Sequence, residues 1–528
     1  TTAQGATQIL HAYLINNKWE GSLPPSFNSA DDLTPAKIKE AYTIVTGRTL
    51  ETAVRMLSKL IDAVEGAGEK LFAAALTAAG NGDFTVINSL IQQKFVANPV
   101  FNPGSPKQMN GLLYETMGLP VRVYNKPTPV MRAKGIKQGN AKADELAISY
   151  AMMMDASDEQ KKVLDALRLI KMVETREGLY YSTYPYFVHW KTGRIHSSHN
   201  QCATNTRRAS SSAPNMQQMP KHQKIEGQPA RFREVMVPHK KNAVIVSMDF
   251  AAQELRVIAD YSRDPNMVAC FVGENLKDMH MLTGAGIAAK KQPDYGWTYE
   301  GAMAVLHNTE HECYGFIKKC RSTGKVVNFS TEYGAMAPKV AVTLLCSEAD
   351  AQAYIDARED AFPVVLEWKD TVIQEARAVG FVKTKLGAVR HLRDAFMSND
   401  MYERSKAERQ AVNTKVQGSC AEMTKLAEGR MWRAGLVHRF DAQIIGPIHD
   451  EVVASVAIED LHEFIPAMHA CMVAPYADMW IPVESSISLG PNFGVQFEGG
   501  SLPSKEAIDG MLNQLRKFND EQNRSGIS

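Results

Sequence analysis

Two aspartates in the sequence adjoin apolar segments of strand length. Asp249 directly follows residues 243–248 (AVIVSM), and Asp450, with Glu451 beside it, separates two apolar runs in residues 444–456, a pattern that predicts a hairpin. A carboxylate at the exit of a buried strand is either a helix cap or a metal ligand, and the residue types alone leave both interpretations open. Because hard divalent cations prefer oxygen ligands, the second interpretation predicts a cation such as Mg²⁺.

A second group of residues recurs at intervals of four within KKCRSTGKVVNFSTEYG. Its members are Arg321, Lys325, Phe329 and Tyr333. On an α-helix each step of four rotates the position by about 40°, so the four side chains share one broad face. An apolar core stripe would not begin with two cations, and a solvated stripe would not carry two aromatic rings. The mixture suits a ligand with phosphates at one end and a flat ring at the other, such as a nucleoside triphosphate.

The composition is that of an ordinary globular protein and excludes disordered, collagen-like and coiled-coil chains. The chain has 528 residues, of which 45% are hydrophobic, and carries 59 Lys and Arg against 58 Asp and Glu. This length predicts about three or four domains. Because the charges balance, a polyanionic partner must be bound by local clusters of cations.

The cysteines and apolar segments indicate a soluble protein of the cytoplasm. The seven cysteines are scattered without a paired CxxC spacing, so neither a disulfide framework nor a zinc site is expected. The longest apolar stretch near the start, residues 71–79, is too short to span a bilayer, and no secretion signal precedes it.

The hydrophobic pattern separates helical from extended segments. Residues 1–176 have a mostly helical pattern, clearest in residues 159–176, where an amphipathic helix is expected to have its apolar face at Val163, Leu167, Ile170 and Val173. The segments YYSTYPYFVHW and GRIHSS that follow predict short strands. A basic, Ser-rich stretch at residues 207–241 is either a solvated face or a contact to phosphate. Residues 266–400 are again largely helical in pattern, and residues 500–528 predict a partly solvated terminal helix.

Three motifs in order carry a resemblance to a known family. Asp249-FAAQELR, Arg321-x3-Lys325-x3-Phe329-x3-Tyr333-Gly334 and His449-Asp450-Glu451 resemble motifs A, B and C of family A DNA polymerases, the relatives of bacterial DNA polymerase I and of phage replicases. Residues 101–121 are similar to the thumb entry of that family, and residues 232–238 to the segment before motif A. The resemblance covers roughly residues 95–495.

The resemblance implies an α+β fold shaped as a right hand, with helical thumb and fingers and a palm that contains an antiparallel sheet. The expected segments are a helical N-terminal region (1–95), the thumb and template-primer segment (96–200), the palm with motif A (201–265), the fingers with motif B (266–400), the palm with motif C (401–499) and a C-terminal tail (500–528).

The same resemblance implies template-directed addition of deoxynucleotides to a primer 3′ end. Phosphoryl transfer needs positioning and charge neutralisation, and two Mg²⁺ ions, or Mn²⁺ in their place, are expected on Asp249 and Asp450 with help from Glu451. The residues expected to contact the incoming dNTP or its template base are Arg321, Lys325, Phe329, Tyr333, Glu254, His280 and Gln253. Lys325 is also expected to protonate the departing pyrophosphate, and Glu254 to exclude a 2′-hydroxyl.

Primer-template DNA is the expected macromolecular partner. The residues that correspond to minor-groove or primer-terminus contacts are Arg208, Arg409, Asn413, Gln417 and His449. Such contacts test pair geometry without reading sequence, because minor-groove acceptors lie at similar positions in all base pairs. No membrane association is expected, the sequence identifies no helicase or processivity factor as a partner, and the compactness of the chain indicates a bacteriophage origin.

The sequence departs from the family pattern in motifs A and B. Most relatives have Tyr-Ser-Gln-Ile where residues 250–253 are Phe-Ala-Ala-Gln, and Ser330 replaces the usual Gly after Phe329. Gln253 is expected to alter nucleotide or mismatch tolerance. The Asp-x-Glu pair of a proofreading domain occurs nowhere in the chain, so no 3′–5′ exonuclease activity is expected.

Two other functions stay open. One is a single-subunit RNA polymerase or primase-like nucleotidyltransferase, which Glu254 and the thumb entry disfavour. The other is a catalytically silent DNA-binding replication factor, which the retention of both aspartates with Arg321 and Lys325 disfavours.

Overall fold

The computed structural model describes residues 103–136, 138–220, 224–225, 228–229, 232–332 and 334–525. The chain divides into two compact units, residues 1–109 and 110–528. The expected helical N-terminal region, residues 1–95, lies outside the described residues. Helix α1 (Pro106–Asn110) is at the boundary between the units.

Antiparallel strands make up the sheets of the second unit. The strands are β1 (Ser198–Asn200), β2 (Ser210–Ser212), β3 (Lys224–Ile225), β4 (Gln228–Pro229), β5 (Ala243–Phe250), β6 (Phe381–Lys383), β7 (Val389–His391), β8 (Gln443–Ile448), β9 (Glu451–Ala457), β10 (Ser485–Gly490) and β11 (Phe497–Gly500). The largest sheet has five strands in the order β11-β10-β5-β9-β8, so β5 is its central strand.

Strand β5 is apolar on both faces because both faces of the sheet are covered. Successive side chains of a strand point to opposite faces. Val246 and Met248 pack into the main core, whereas Ile245 packs with Phe232 and Tyr180 in a smaller cluster on the other face. Burial of an aliphatic or aromatic side chain contributes about 1.5–3 kcal/mol, so both layers hold β5 in place.

Helices cover the main-core face of the sheet and form a separate lobe, whereas short helical turns and loops cover the other face. In chain order they are α2 (Pro129–Ala133), α3 (Glu145–Met154), α4 (Asp158–Arg176), α5 (Gln253–Ser262), α6 (Pro265–Val268), α7 (Met279–Lys291), α8 (Tyr299–Leu306), α9 (Tyr314–Glu332), α10 (Ala337–Leu344), α11 (Glu348–Ala361), α12 (Pro363–Val379), α13 (Arg393–Phe396), α14 (Met401–Asn413), α15 (Ser419–Arg433), α16 (Leu436–Arg439), α17 (Leu461–Val473) and α18 (Lys505–Ser525). The lobe formed by α7 to α11 has its own core, which includes Met281, Ile317 and Val340.

The α+β architecture expected from the sequence is confirmed, as is the hairpin around Asp450, which is formed by β8 and β9. The short strands expected in YYSTYPYFVHW are wrong for residues 180–187, most of which lie in the helical turns Glu177–Tyr181 and Tyr184–Phe187. Val188 forms a bridge with Ile195 of GRIHSS, and Ser198 at the end of that segment begins β1. Tyr180 and Tyr184 both pack against Phe232, with ring centroids 4.5 and 5.2 Å away, so tertiary packing of aromatic rings overrides their preference for strands.

Helix α4 begins at a Ser157 capping box, within a residue of the expected start. Its burial differs from the expectation, because Val163, Ile170 and Val173 are 43–47% exposed and the buried apolar residues are Leu164 and Leu167. In the C-terminal helix α18, Ile508 and three other apolar residues enter the main core. No helix in the described part of the chain is long and apolar enough to cross a membrane.

Candidate active site

A two-residue turn joins β8 to β9 and carries His449 and Asp450. His449 has a φ of 63°, in the left-handed region. The carbonyl oxygen of Asp450 accepts a hydrogen bond of 3.2 Å from the backbone N–H of Phe250. Glu451, the first residue of β9, is the register partner of Asp249. The fold therefore brings Asp249, on β5, and Asp450, in the turn that precedes the neighbouring strand β9, together at one end of the sheet.

The carboxylates at this end of the sheet suit a hard divalent cation. Asp249 does not cap the next helix, because the N-cap of α5 is Ala252. Asp249, Asp450 and Glu451 are each half-buried. Within the described residues no group of three or more His, Cys, Asp or Glu side chains converges on a metal position. Two carboxylates completed by water and substrate phosphate are the usual Mg²⁺ environment, so the donor set fits Mg²⁺ and not a fully protein-coordinated ion.

Helix α9 carries Arg321, Lys325 and Phe329, as the spacing predicts. Lys325 and Phe329 are exposed, Phe329 to 43% despite its apolar ring. An exposed cation followed one turn later by an exposed ring offers a binding surface for a charged, flat ligand. Tyr333 lies outside the described residues.

Arg321 is oriented by Asp278, the residue before α7. Its Nε donates to Oδ2 of Asp278 at 2.8 Å. The other oxygen, Oδ1, accepts from the backbone N–H of Met281 at 2.9 Å and so caps α7. A single carboxylate therefore begins one helix and positions the cation of the other. Asp278 was not among the expected site residues. The signal that could have identified it is its N-cap position, three residues before Met281, whose backbone N–H it accepts from.

Two glycines allow α7 and α9 to pack closely. A Cβ on Gly324 would lie 2.5 Å from the carbonyl oxygen of His280 and 3.0 Å from the backbone nitrogen of Gly284. A Cβ on Gly284 would lie 2.9 Å from Cα of Arg321. Larger residues at these positions would force the helices apart, so the glycines set the distance between Arg321 and His280.

His280 faces α9 and belongs to a buried polar network. Its Nδ1 lies 3.3 Å from Nδ2 of Asn328, whose Oδ1 accepts from the Thr283 hydroxyl at 2.8 Å. The His280 ring centroid is 5.6 Å from that of Phe329. Burial lowers the pKa of His280, with Asp278 opposing this shift and the cations of α9 adding to it, so the ring is neutral near pH 7.

Arg208 and Glu254 form an ion pair beside the carboxylates. Nη2 of Arg208 donates to Oε1 of Glu254 at 2.5 Å. Arg208 and His449 also line a cavity of about 250 Å³ together with Gln217 and Lys425. These groups place a cation, a carboxylate and several hydrogen-bonding side chains next to the β8–β9 turn.

Gln253 lies away from this cavity. It is 4% exposed, and its Nε2 donates to the carbonyl oxygen of Cys420 on α15 at 3.3 Å. An effect of Gln253 on the nucleotide would therefore have to act through the packing of α5 on α15. Nothing in the structure explains Ser330 in place of Gly.

The three expected DNA-contact residues near α14 follow one another along the chain. Arg409 is exposed, and its side chain lies beside Gly334, since a Cβ there would be 3.3 Å from Cδ of Arg409. Asn413 ends α14, and Gln417 lies in the wider helical turn Thr414–Gly418; both are half-buried.

A buried arginine behind the carboxylates was missed by the sequence analysis. Arg233 lines a cavity of about 510 Å³ together with Asp249 and Glu451. Its Nε and Nη2 donate to the carbonyl oxygen of Met219 at 3.2 and 3.0 Å, and its guanidinium lies 4.6 Å from the ring centroid of Phe493. Burial lowers the pKa of Arg233, and Glu451 opposes this shift. In the sequence Arg233 was one cation within a basic stretch, with no signal for burial.

The sequence of residues 83–495 matches the family model of DNA polymerase family A. The chain belongs to DNA polymerase family A. This family A polymerase is 28% identical over 444 residues to the thermostable DNA polymerase I of Thermus thermophilus, covering 84% of this chain and 48% of that protein. It is 31% identical over 382 residues to DNA polymerase I of Streptococcus pneumoniae, covering 72% and 38%. The chain therefore spans less than half the length of these relatives.

A solved structure shares the fold of this family A polymerase. The POL domain of Pol1 from M. smegmatis, in complex with DNA primer-template and dNTP, superposes with a TM-score of 0.59 at 24% identity. The similarity covers 76% of this chain and 63% of that one. The right-hand fold expected from the motifs is thus confirmed at the level of the polymerase domain.

Proposed function

We propose that the chain is a DNA-directed DNA polymerase that adds deoxynucleotides to a primer 3′ end and releases pyrophosphate. The observation that carries this proposal is the convergence of Asp249 on β5 and Asp450 in the β8–β9 turn, which are distant in sequence. The ion-paired Arg208 lines a cavity at the same turn. Membership of family A supports the same conclusion. The expected thumb, palm and fingers boundaries are part of this proposal.

Asp249 and Asp450 would hold two divalent cations, for which Mg²⁺ is proposed and Mn²⁺ is an alternative. Bound there, the cations would supply charge that activates the primer 3′-oxygen and neutralises the leaving pyrophosphate. Glu451 has a supporting role. It is the register partner of Asp249 and lines the same cavity as the buried Arg233.

The face of α9 binds the triphosphate. Arg321, held by Asp278, presents a fixed cation, whereas the exposed Lys325 is free to follow the phosphates. A lysine that touches the departing pyrophosphate can also donate a proton to it. The Phe329 ring covers the sugar and base, and the neutral His280 ring next to it offers a hydrogen bond to the triphosphate. Tyr333 is proposed to stack near the template base.

Glu254 is proposed as the gate against ribonucleotides. Its side chain is half-buried and fixed by Arg208. A fixed side chain that fills the space of a 2′-hydroxyl rejects the larger sugar, because moving it would break the ion pair. Arg208, Arg409, Asn413, Gln417 and His449 are proposed to contact the primer-template duplex.

The test is primer extension with Mg²⁺ and dNTPs on a matched primer-template. We expect extension by the wild type and a loss of at least about 10²-fold with Asp450→Asn, since removal of a principal charge-stabilising group costs on the order of 10²–10³-fold. Asp441→Asn, a substitution of an exposed aspartate in the turn before β8, is the matched control and should leave the rate unchanged.

The same assay with other nucleotides and primers distinguishes the proposed function from the two alternatives. Extension with rATP in place of dATP would indicate an RNA polymerase or primase-like enzyme. DNA binding without extension would indicate a silent replication factor. A 3′-mismatched primer tests the proposal that this chain does not edit, because removal of the mismatched nucleotide before extension would contradict it.

A further inference from the structure

An exposed hairpin on the second unit carries aromatic rings that are mostly open to solvent. A bridge between Val188 and Ile195 and a hydrogen bond of 2.8 Å from the His189 N–H to the Arg194 carbonyl close the hairpin. We call residues 186–196 the aromatic hairpin. Trp190 is 82% exposed and Tyr186 is 88% exposed. Rings of this size bury about 150–250 Å² when they are covered, so their exposure leaves apolar area that a ligand can cover.

A cation lies against one of these rings, and no carboxylate is near it in the sequence. Nζ of Lys191 lies 4.8 Å from the centroid of the Trp190 ring. The sequence has no Asp or Glu between Glu177 and Glu226, a stretch that contains the whole hairpin. A solvated loop normally mixes both signs of charge, so this one-sided charge favours a polyanionic ligand.

The hairpin is fixed to the edge of the main sheet and is not a loose loop. Nη1 of Arg194 donates to Oε1 of Gln443 on β8 at 3.0 Å, and Nη2 donates to the carbonyl oxygen of His239 at 3.1 Å. The Thr192 hydroxyl lies 2.8 Å from Nε2 of His196. The ring of Trp190 is therefore presented from a braced position, which reduces the entropy lost when a ligand stacks on it.

The exposed Trp190 ring favours single-stranded over double-stranded nucleic acid. In a duplex the base faces are stacked on one another and are not open to a protein side chain, whereas single-stranded bases stack on aromatic side chains while lysines and arginines follow the backbone. A ring with an adjacent cation thus matches single-stranded and not double-stranded DNA.

We propose that the aromatic hairpin is a binding site for single-stranded DNA, outside the residues assigned to the active site. Trp190 stacks on a base, and Lys191 contacts the phosphates of the same strand. The proposal rests on the proposed function only in that DNA is the substrate of this chain.

The test measures binding of a labelled oligo-dT to the full chain while an excess of a DNA hairpin with a recessed 3′ end occupies the polymerase cleft. Trp190→Ala should weaken oligo-dT binding by at least about fivefold, the lower end for loss of one base stack. Trp190→Phe should retain most of the affinity. Lys191→Ala should reduce the slope of log affinity against log salt by about 0.7.

Trp480→Ala is the matched control, because Trp480 is also a partly exposed indole, 42%, with an arginine 5.6 Å from its ring. The proposal is overturned if Trp190→Ala binds oligo-dT like the wild type, if Trp480→Ala weakens binding equally, or if binding of a blunt duplex falls in parallel with that of oligo-dT. Extension on a template with a short overhang reports the proposed polymerase separately: its absence in the wild type contradicts that function, while the oligo-dT measurement still tests the hairpin.

Discussion

Gly324→Ala should disrupt the site by separating the helices that carry His280 and Arg321. The added Cβ would lie 2.5 Å from the carbonyl oxygen of His280, where ordinary carbon contacts need about 3.5 Å. The two helices would have to move apart by about 0.5–1 Å, and overpacking of this kind costs about 1–3 kcal/mol. A displacement of about 1 Å at a positioning element can cost on the order of 10²-fold in rate.

Steady-state single-nucleotide incorporation and thermal unfolding measure these effects. We expect kcat/KM for dNTP to fall by at least about tenfold and the Tm to fall by a few degrees. Gly315→Ala is the control on the same helix, because its Cβ would meet nothing within 4 Å. That variant should keep wild-type activity and gain up to about 1 kcal/mol from helix propensity.

Gly284→Ala enters the same interface from α7 and should act in the same direction, since its Cβ would lie 2.9 Å from Cα of Arg321. If Gly324→Ala and Gly284→Ala both retained wild-type kcat/KM and Tm, the close packing of α7 on α9 would not position the nucleotide-binding face, and the reasoning would be refuted.

Three further substitutions test separate parts of the site. Phe329→Tyr should raise dideoxynucleotide incorporation relative to dNTP incorporation by about 3- to 10-fold, because the added hydroxyl can replace the hydrogen bond of the missing 3′-hydroxyl; equal use of both substrates by the wild type would contradict this. Gln253→Ile should change the relative use of 2-amino-substituted and natural adenine nucleotides through the contact with α15, and an unchanged ratio would end that hypothesis. Burial raises the pKa of Glu428 from 4.5 to about 7, so the folded protein binds an extra proton between these values and loses stability as pH rises through them. Glu428→Gln should abolish this loss. Urea unfolding at pH 5 and pH 8 measures it: the free energy of unfolding of the variant, relative to that of the wild type, should be higher at pH 8 than at pH 5.

The sequence predicted those site residues whose positions follow from a local strand, turn or helix pattern. Asp249 lies near the end of an apolar strand, Asp450 lies in a hairpin turn, and the four-residue spacing in α9 places Arg321 and Lys325 on one face. Strand and helix periodicity determines these positions locally, whatever the rest of the fold does.

Contacts between distant segments were decided by the tertiary structure. In the sequence Asp278 is only a polar residue before a helix, and its contact with Arg321 arises because α9 packs beside it. Arg233 is likewise one cation in a basic stretch, and only the fold places its guanidinium against Phe493. Periodicity likewise could not tell that Val163 and Ile170 on α4 stay exposed.

The sequence by itself determined the order of the motifs, the strand that carries Asp249, the hairpin that carries Asp450 and the helix that carries the cations. Only the tertiary structure decided which side chains meet, because burial and charge pairing depend on segments hundreds of residues apart. Gln253 shows the difference most directly: its place in motif A predicted a nucleotide contact, but the packing of α5 on α15 turns its amide toward the carbonyl of Cys420.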